Sequence, residues 1–203
     1  MLRVFILVLI LYGTTGCIFS EEYNPCDGDI IFQTSRSAQS VAIQRATKSR
    51  YSHMGIVYNK GGKPYVFEAV EPVKLTPLKD WIARGVSGHY VVKRLSNADE
   101  LITPDALESM LKVGEAFEGK HYDLYFEWSD DRIYCSELVW KIYKRALDIE
   151  VGKLQTMSEF DLSDPEVKAK VRDRFGDRIP KNELVISPAA MFSAKELVTV
   201  YQN

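Results

Sequence analysis

Segments with the composition of β-strands are concentrated in the first half of this chain, and segments with helical periodicity follow them. The strand-like segments lie between residues 28 and 95, where Gly, Pro and Asn turns separate short apolar runs. The segments with apolar residues at intervals of three and four lie mostly beyond residue 100. Strands followed by helices are typical of the α+β class. We therefore predict one α+β domain over residues 27–203, with an antiparallel sheet packed against helices.

The best-defined element of this sheet is a hairpin built from residues 51–58 and 65–70. The connection between them, Asn-Lys-Gly-Gly-Lys-Pro, is rich in residues that form tight turns. Directly opposed residues of an antiparallel hairpin have numbers whose sum is constant. A two-residue loop at Lys60-Gly61 makes the sum 121, and one at Gly61-Gly62 makes it 123. The sequence leaves both registers open.

Both of these registers bring a histidine and a glutamate to the same face of the hairpin. With a sum of 121, His53 lies directly opposite Glu68; with a sum of 123 the two are one diagonal apart, still within reach. A loop with an odd number of residues would instead place His53 beside Ala69 and Glu71. An inward-facing glutamate needs a partner, so we predict that Glu68 interacts with His53.

A cysteine opens a strongly periodic helical segment. Ser129, Asp130 and Asp131 precede this segment and are residue types that cap the start of a helix. Cys135 should therefore lie in the first turn, where unpaired backbone N–H groups and the helix dipole favour a thiolate. A thiolate is the form of cysteine that attacks a carbonyl carbon. The apolar positions of the segment are Cys135, Leu138, Val139, Ile142 and Ala146.

Other helices are predicted where a polar capping residue is followed by proline. This pattern occurs at Thr103-Pro104, where it is followed by an acidic residue, and again at Asp164-Pro165. Ser187 precedes a further proline and predicts a short helix near the end of the chain.

The first sixteen residues have the pattern of a secretory signal peptide. A basic start at Arg3 is followed by an apolar run over residues 4–12 and then by small residues. The run is shorter than the ~20 apolar residues of a membrane span. We predict that residues 1–16 direct export of the protein and that residues 17–26 form a tether before the folded domain.

Two alternatives remain open for the cysteine that follows this signal. Residues 15–17, Thr-Gly-Cys, resemble the processing box of a bacterial lipoprotein, in which Cys17 would carry a lipid and tether the protein to the membrane. Thr14 stands where that box usually has leucine. Alternatively, Cys17 forms a disulfide with Cys26, which an oxidising compartment permits. Neither alternative involves Cys135, whose other interpretation is a small buried core residue.

The small net charge and the wide spacing of the histidines and cysteines argue against nucleic-acid binding and against a metal site. The formal net charge is −2 and there is no basic tract, so nothing indicates a nucleic-acid partner. His89 and His121 have no carboxylate at hairpin spacing and are predicted at the surface, and the alternation over residues 88–95 directs Lys93 to solvent. The scattered histidines and cysteines lack a CxxC or HExxH motif, so we predict no metal site. The aromatic residues of 122–128 are candidates to line a substrate cleft.

Five segments of the chain carry motifs that occur together in one family. They are Gly28–Ile31, Tyr51–Gly55, Tyr65–Ala69, Gly119–Asp123 and Tyr134–Val139. In this order they resemble the circularly permuted papain-like amidases, most closely the YiiX-like group of Gram-negative bacteria, from about residue 27 to the end. In ordinary NlpC-type peptidases the cysteine helix precedes the histidine strand, whereas here His53 precedes Cys135. The resemblance implies a permuted papain-like, NlpC-type fold and a periplasmic location.

Carried over position by position, the resemblance implies that Cys135 is the nucleophile, His53 the base and Glu68 the residue that orients the imidazole. The implied chemistry is acyl transfer through a thioester, and no cofactor is required. The backbone N–H of Cys135, at the start of its helix, is one candidate oxyanion donor. No feature of the sequence identifies the second donor.

Three functions are compatible with these residues. The first is hydrolysis of an amide bond in a cell-wall peptide or a small amino-acid conjugate. The second is a lipid-directed acyltransferase or esterase, because relatives of lecithin:retinol acyltransferase share the permuted fold. A long apolar groove would favour this second function, and a short polar cleft would favour the first. The third is a binding module without turnover. The expected partner is thus a small molecule, a peptide or a lipid, and the sequence gives no information on oligomeric state.

Overall fold

A six-stranded antiparallel sheet forms the centre of the structure, a computed structural model in which residues 23–203 are described. The strands of the described chain are β1 (Ile30–Ser35), β2 (His53–Lys60), β3 (Lys63–Glu68), β4 (Lys74–Pro77), β5 (Gly85–Leu95), β6 (His121–Tyr122), β7 (Arg132–Ile133), β8 (Gln155–Thr156), β9 (Leu184–Val185) and β10 (Leu197–Gln202). In the large sheet their order is β10-β5-β1-β2-β3-β4. The short strands pair separately, β6 with β7 and β8 with β9.

Five of the seven α-helices of the described chain follow β5, as the sequence pattern predicts. They are α1 (Ser40–Thr47), α2 (Leu78–Arg84), α3 (Ala98–Leu101), α4 (Pro104–Glu115), α5 (Cys135–Leu147), α6 (Pro165–Phe175) and α7 (Pro188–Phe192), with a 3-10 turn at Met157–Glu159. The three proline-based helix starts are confirmed. At each of them the side chain of Thr103, Asp164 or Ser187 accepts a hydrogen bond from a backbone N–H of the first turn.

Both faces of the sheet are covered, which is the α+β arrangement predicted from the sequence. Along β1, Ile30 and Phe32 enter the larger hydrophobic core, whereas Ile31 enters a smaller core on the other face. Alternate side chains of a strand point to opposite faces, so β1 contributes to both cores. Helices α4 and α5 pack over the larger core, and α2 covers the smaller one with the fully buried Trp81.

The hairpin of β2 and β3 adopts the second of the two registers left open by the sequence. Ile56 lies opposite Phe67 and Lys60 opposite Lys63, so the sum is 123 and the loop is Gly61-Gly62. Both loop glycines have positive φ, at 60° and 74°, a conformation that glycine adopts at little cost. His53 and Glu68 are therefore one diagonal apart on the same face.

The sequence did not predict one strand and misplaced one side chain. Residues 74–77 form the edge strand β4, which pairs with Tyr65–Glu68 of β3. Lys93 was predicted to face solvent but is buried, with its ammonium group 4.5 Å from the centre of the Phe192 ring. The ammonium also donates to the backbone carbonyl of Phe192. Helix α7 thus covers Lys93, which the alternation of residues along β5 predicted to be exposed.

The predicted signal peptide, Cys17 and most of the predicted tether lie outside the described residues. Cys26 lies within them as a free thiol. Within residues 23–203, no helix has the length and apolar character needed to cross a bilayer.

A glycine in β2 allows the two hairpin strands to approach closely beside Glu68. A Cβ atom at Gly55 would lie 2.5 Å from Val66 Cγ1, 2.7 Å from the Phe67 carbonyl oxygen and 3.3 Å from Glu68 Cβ. The first two distances are too short, so backbone or core must shift. We expect Gly55→Ala to lower the free energy of unfolding by about 1–3 kcal/mol, as overpacking does. Urea denaturation checks this, and an unchanged midpoint would show that β3 can move aside freely.

Candidate active site

The start of one strand, the end of its neighbour and the start of a helix meet at the large sheet. His53 is the first residue of β2, Glu68 is the last residue of β3 and Cys135 is the first residue of α5. Helix α5 packs directly against β2, which brings its first turn to the end of the hairpin. The three side chains are buried, at 8% exposure for His53, 0% for Glu68 and 3% for Cys135. The structure thus brings together the three residues singled out in the sequence.

The carboxylate of Glu68 is held by three donors. His53 Nε2 lies 2.6 Å from Glu68 Oε2, and the Thr76 hydroxyl donates to Oε1 at 2.6 Å. The Arg84 guanidinium also donates to Oε1. Burial raises the pKa of Glu68, but the His53 contact, Thr76 and the Arg84 charge together bring it below its ordinary value. Glu68 is therefore charged, and its charge faces the imidazole.

The thiol of Cys135 is hydrogen-bonded to the same imidazole. Since Nε2 of His53 faces Glu68, the ring nitrogen left for Cys135 is Nδ1. Burial lowers the pKa of His53, yet hydrogen bonds to Cys135 and Glu68 raise it to about 9 overall. Burial raises the pKa of Cys135, and the His53 contact, with backbone N–H groups of Met54 and Ser136, lowers it below the ordinary thiol value. The pair therefore favours a thiolate beside an imidazolium.

A tyrosine hydroxyl forms a further contact with this thiol. The Tyr122 hydroxyl lies close enough to Cys135 for the two groups to influence each other, and its oxygen accepts from the Gln39 amide nitrogen at 3.0 Å. Arg174 donates to the Gln39 amide oxygen at 2.7 Å, which fixes the orientation of that amide. Because the Gln39 nitrogen donates to the Tyr122 oxygen, the tyrosine proton is left free to donate towards Cys135. Burial and the neighbouring thiolate raise the pKa of Tyr122, so the hydroxyl keeps its proton.

Most of these supporting residues carry no signal in the sequence. Tyr122 belongs to the aromatic stretch predicted to line a cleft, but nothing in its pattern indicated contact with Cys135. Gln39, Arg84 and Arg174 carry no local signal, since each acts on a residue distant in the chain. Trp81 likewise stacks on His53, with ring centres 6.0 Å apart and an interplanar angle of 25°.

A family model described as "Permuted papain-like amidase enzyme, YaeF/YiiX, C92 family" matches residues 24–201. The chain belongs to the permuted papain-like amidases. One relative, the "Uncharacterized protein YiiX" of Escherichia coli (strain K12), is 51% identical over 178 residues, which are 88% of this chain and 87% of YiiX. A crystal structure of YiiX from Escherichia coli O157:H7, described as a metalloprotein, is similar with a TM-score of 0.85 at 51% identity. The match covers 89% of this chain and 99% of that one.

This membership confirms the family and the permuted fold that the motif order predicted. It also supports cysteine hydrolase activity in general terms, because the family is one of papain-like amidases. The particular roles of Cys135, His53 and Glu68 in this permuted amidase stay a prediction.

Two cavities of the permuted amidase meet at the Cys135–His53 pair. The first, about 760 Å³ including its part open to solvent, is walled mainly by apolar side chains of α1, α6 and the residues between α5 and α6. The second, about 1390 Å³ on the same basis, is more polar. Cys135 lines the first cavity and His53 lines the second, while Gln39 and Tyr122 line both.

The residues predicted to cap α5 have a different role in the structure. The N-cap position is Tyr134, whose backbone N–H donates to the Glu137 carboxylate at 3.5 Å. Asp130 instead accepts hydrogen bonds from Lys141, at 2.8 Å, and from Arg145 on α5. These contacts hold the incoming loop against the side of the helix. The expectation that Cys135 lies in the first turn of the helix is confirmed.

The two other histidines lie apart from this site. His121 is exposed, as predicted, and is paired with Glu71 at 2.5 Å. His89 was predicted at the surface but is only partly exposed, because its ring contacts the backbone oxygen of Asn203 at 2.6 Å. Neither contact involves the Cys135–His53 pair.

The charge of Glu68 should control the reactivity of Cys135 through His53. In Glu68→Gln the imidazolium loses its stabilising charge, so the pKa of His53 falls and that of Cys135 rises. We expect alkylation of Cys135 by iodoacetamide at pH 6.5 to slow about tenfold for each unit by which the thiol pKa rises. At pH 10, where both proteins hold a thiolate, the two rates should converge. The rate of modification of the Cys135 peptide, followed by mass spectrometry from pH 5 to 10, gives both profiles.

Glu150→Gln is the matched control, because Glu150 is an exposed carboxylate paired with Lys144. Its alkylation profile should equal that of the unchanged protein. Thr76→Val removes one donor to Glu68 and should give a smaller shift in the same direction, which guards against a Glu68 variant that fails to fold. Superimposable profiles for the folded Glu68→Gln variant and the unchanged protein would refute the coupling.

Proposed function

We propose that this protein is a thiol-dependent hydrolase that cleaves an amide bond through a thioester on Cys135. The observation that carries the proposal is the continuous line of hydrogen bonds from Cys135 through His53 to Glu68 at the junction of two cavities. A nucleophile, a base and a residue that orients the base are the minimum set for this chemistry. Membership of a family of papain-like amidases supports the same reaction class.

In the first step, the Cys135 sulfur bonds to the carbonyl carbon while the carbonyl electron pair moves onto oxygen. His53 holds the proton that came from the thiol, and Glu68 stabilises the resulting imidazolium. When the tetrahedral intermediate collapses, the bond from carbon to nitrogen breaks and His53 gives its proton to the leaving amine. The acyl group is then bound to Cys135 as a thioester.

In the second step, water replaces the amine. His53 takes a proton from water as the oxygen bonds to the thioester carbon. The bond from carbon to sulfur then breaks, the acid leaves, and the sulfur departs as a thiolate while His53 keeps the proton taken from water. The buried ion pair of Cys135 and His53 is thereby restored for the next turnover.

Two donors are suitably placed for the oxyanion of both intermediates. The backbone N–H of Cys135 is at the first position of α5, where helix geometry leaves it without an intrahelical partner. The second donor is the Tyr122 hydroxyl, whose proton is left free to donate towards Cys135 by the Gln39 and Arg174 contacts. One oxyanion donor contributes about 3 kcal/mol in comparable enzymes.

The donor set around Cys135 does not fit a metal ion. A zinc site uses three or four protein ligands, and the oxygens of Glu68 already accept from His53, Thr76 and Arg84. No group of three or more His, Cys, Asp and Glu side chains within residues 23–203 is arranged to hold a metal. We therefore derive no step through a metal, although the related YiiX is described as a metalloprotein.

The apolar cavity beside Cys135 favours a substrate with an apolar acyl group, and so keeps a lipid-directed acyltransferase or esterase as the second candidate. Met157, Phe160, Val167 and Phe175 are among the side chains that line it. An acyl chain bound there would have its carbonyl carbon next to the sulfur. The same residues would cleave an ester, or pass the acyl group to an acceptor other than water.

Hydrolysis by the full-length protein tests the proposal. Acyl amino acids, peptidoglycan peptides and phospholipids should be offered to the unchanged protein and to Cys135→Ala. We expect turnover of at least one of these classes, its loss in Cys135→Ala, and an acylated Cys135 peptide in a rapidly quenched sample. Cys26→Ser is the matched control and should retain full activity. Turnover that survives in Cys135→Ala would refute the proposal, and binding without turnover by the unchanged protein would favour the binding module.

Tyr122→Phe tests the second oxyanion donor. The variant keeps the ring but loses the proton that faces Cys135, so kcat should fall by about 10²–10³ with little change in KM. Tyr125→Phe, an exposed position in the same aromatic stretch, is the control and should leave kcat unchanged. An equal kcat for Tyr122→Phe and the unchanged protein would remove Tyr122 from the mechanism.

A further inference from the structure

The two cavities at the Cys135–His53 pair can be assigned to the two halves of a substrate. The acyl carbon must reach the sulfur of Cys135, which lines only the apolar cavity. The leaving atom must receive a proton from His53, which lines only the second cavity. Under the proposed function, the second cavity therefore holds the leaving group, and we call it the leaving-group cleft.

The leaving-group cleft is lined by three arginines. They are Arg36, after β1, Arg84, at the end of α2, and Arg132, at the start of β7. All three are exposed, so their guanidinium groups are accessible from the cleft. Residues 37–131 separate the outer two in sequence, and only the fold brings them to the same cleft.

The guanidinium groups are largely free of internal partners. Within residues 23–203, Arg36 and Arg132 make no side-chain hydrogen bond or close ion pair, although the Arg132 charge acts at longer range on Glu71 and Asp123. Arg84 uses one nitrogen to donate to Glu68, which leaves its other donors available. Glu71 is the one carboxylate of the described lining, so the arginines outnumber the acidic side chains. The Arg132 charge acts on Glu71, whose oxygens are also in contact with His121 Nδ1, at 2.5 Å, and with the Tyr122 backbone N–H, at 2.9 Å.

We propose that the leaving-group cleft binds an anionic group, a carboxylate or a phosphate, carried by the leaving half of the substrate. Guanidinium groups bind these two anions through paired hydrogen bonds and remain charged at any physiological pH. Together with the apolar cavity, this defines the substrate class. It is an apolar acyl group joined to an amine or alcohol that carries an acidic group. The assignment of the acyl half to the apolar cavity and of the leaving half to the cleft rests on the proposed function.

The anion site itself can be tested without any substrate, by alkylation of Cys135 with two reagents. Iodoacetate is an anion and iodoacetamide is its neutral counterpart, and both attack the same sulfur. The ratio of their rates therefore cancels any change in the reactivity of the thiolate. The Cys135 peptide is quantified by mass spectrometry in the full chain, at low ionic strength, where charge effects are least screened.

In the double variant Arg36→Gln/Arg132→Gln, we expect the ratio of the iodoacetate rate to the iodoacetamide rate to fall about three- to fivefold, the range of exposed charge pairs. Arg45→Gln is the matched control, since Arg45 is exposed on α1 and lines neither cavity. It should leave the ratio unchanged. An equal ratio in the double variant and the unchanged protein, both folded by circular dichroism, would overturn the proposal.

Competition distinguishes the two kinds of anion. Acetate and inorganic phosphate are added separately while iodoacetate modifies Cys135. Slower modification with acetate assigns a carboxylate, as in an acyl amino acid, and slower modification with phosphate assigns a phosphate, as in a phospholipid. Protection by neither ion overturns the anion site. Because these measurements need no turnover, a failure of the proposed hydrolysis and a failure of this inference give different results.

Discussion

The contact between His53 and Glu68 is the constraint on which the site depends. A carboxylate that is fully removed from water is costly unless its charge is balanced and its oxygens accept hydrogen bonds. Glu68 meets this requirement with His53, Thr76 and Arg84. The same contacts hold the imidazole in one orientation and leave its other nitrogen for Cys135. One set of hydrogen bonds therefore both stabilises the buried carboxylate and orients the imidazole.

The large sheet brings His53 and Glu68 together, and its edge adds further hydrogen-bond donors to the Glu68 carboxylate. Gly55 lies opposite Glu68 in the observed register, and the absence of a side chain there lets β3 lie close to β2. Thr76 comes from the edge strand β4, and Arg84 comes from α2, the helix that covers the same side. The edge strand and its helix thus have a chemical role as well as a structural one, because they provide two of the three donors to the carboxylate.

The helices after the sheet supply the other half of the site. Helix α5 presents Cys135 at its first turn, where the helix dipole and the imidazolium act on the thiol in the same direction. Arg174 on α6 acts through Gln39 on Tyr122, so the direction of one proton depends on elements far apart in the chain. The two cavities then differ in character because α1 and α6 contribute apolar walls, whereas the ends of β1, α2 and β7 contribute arginines.

The sequence by itself determined the α+β class, three helix starts and the hairpin, and in two of its three possible registers it placed His53 and Glu68 on one face. These follow from periodicity, capping residues and turn glycines, which act over a few residues and so leave a local pattern. Only the tertiary structure decided which of the two hairpin registers is adopted and buried Lys93 under α7. It also placed Arg84 beside Glu68 and Tyr122 beside Cys135. Such contacts join residues distant in the chain. Their partners are set by how whole elements pack, and packing leaves no periodic mark on the residues that it brings together.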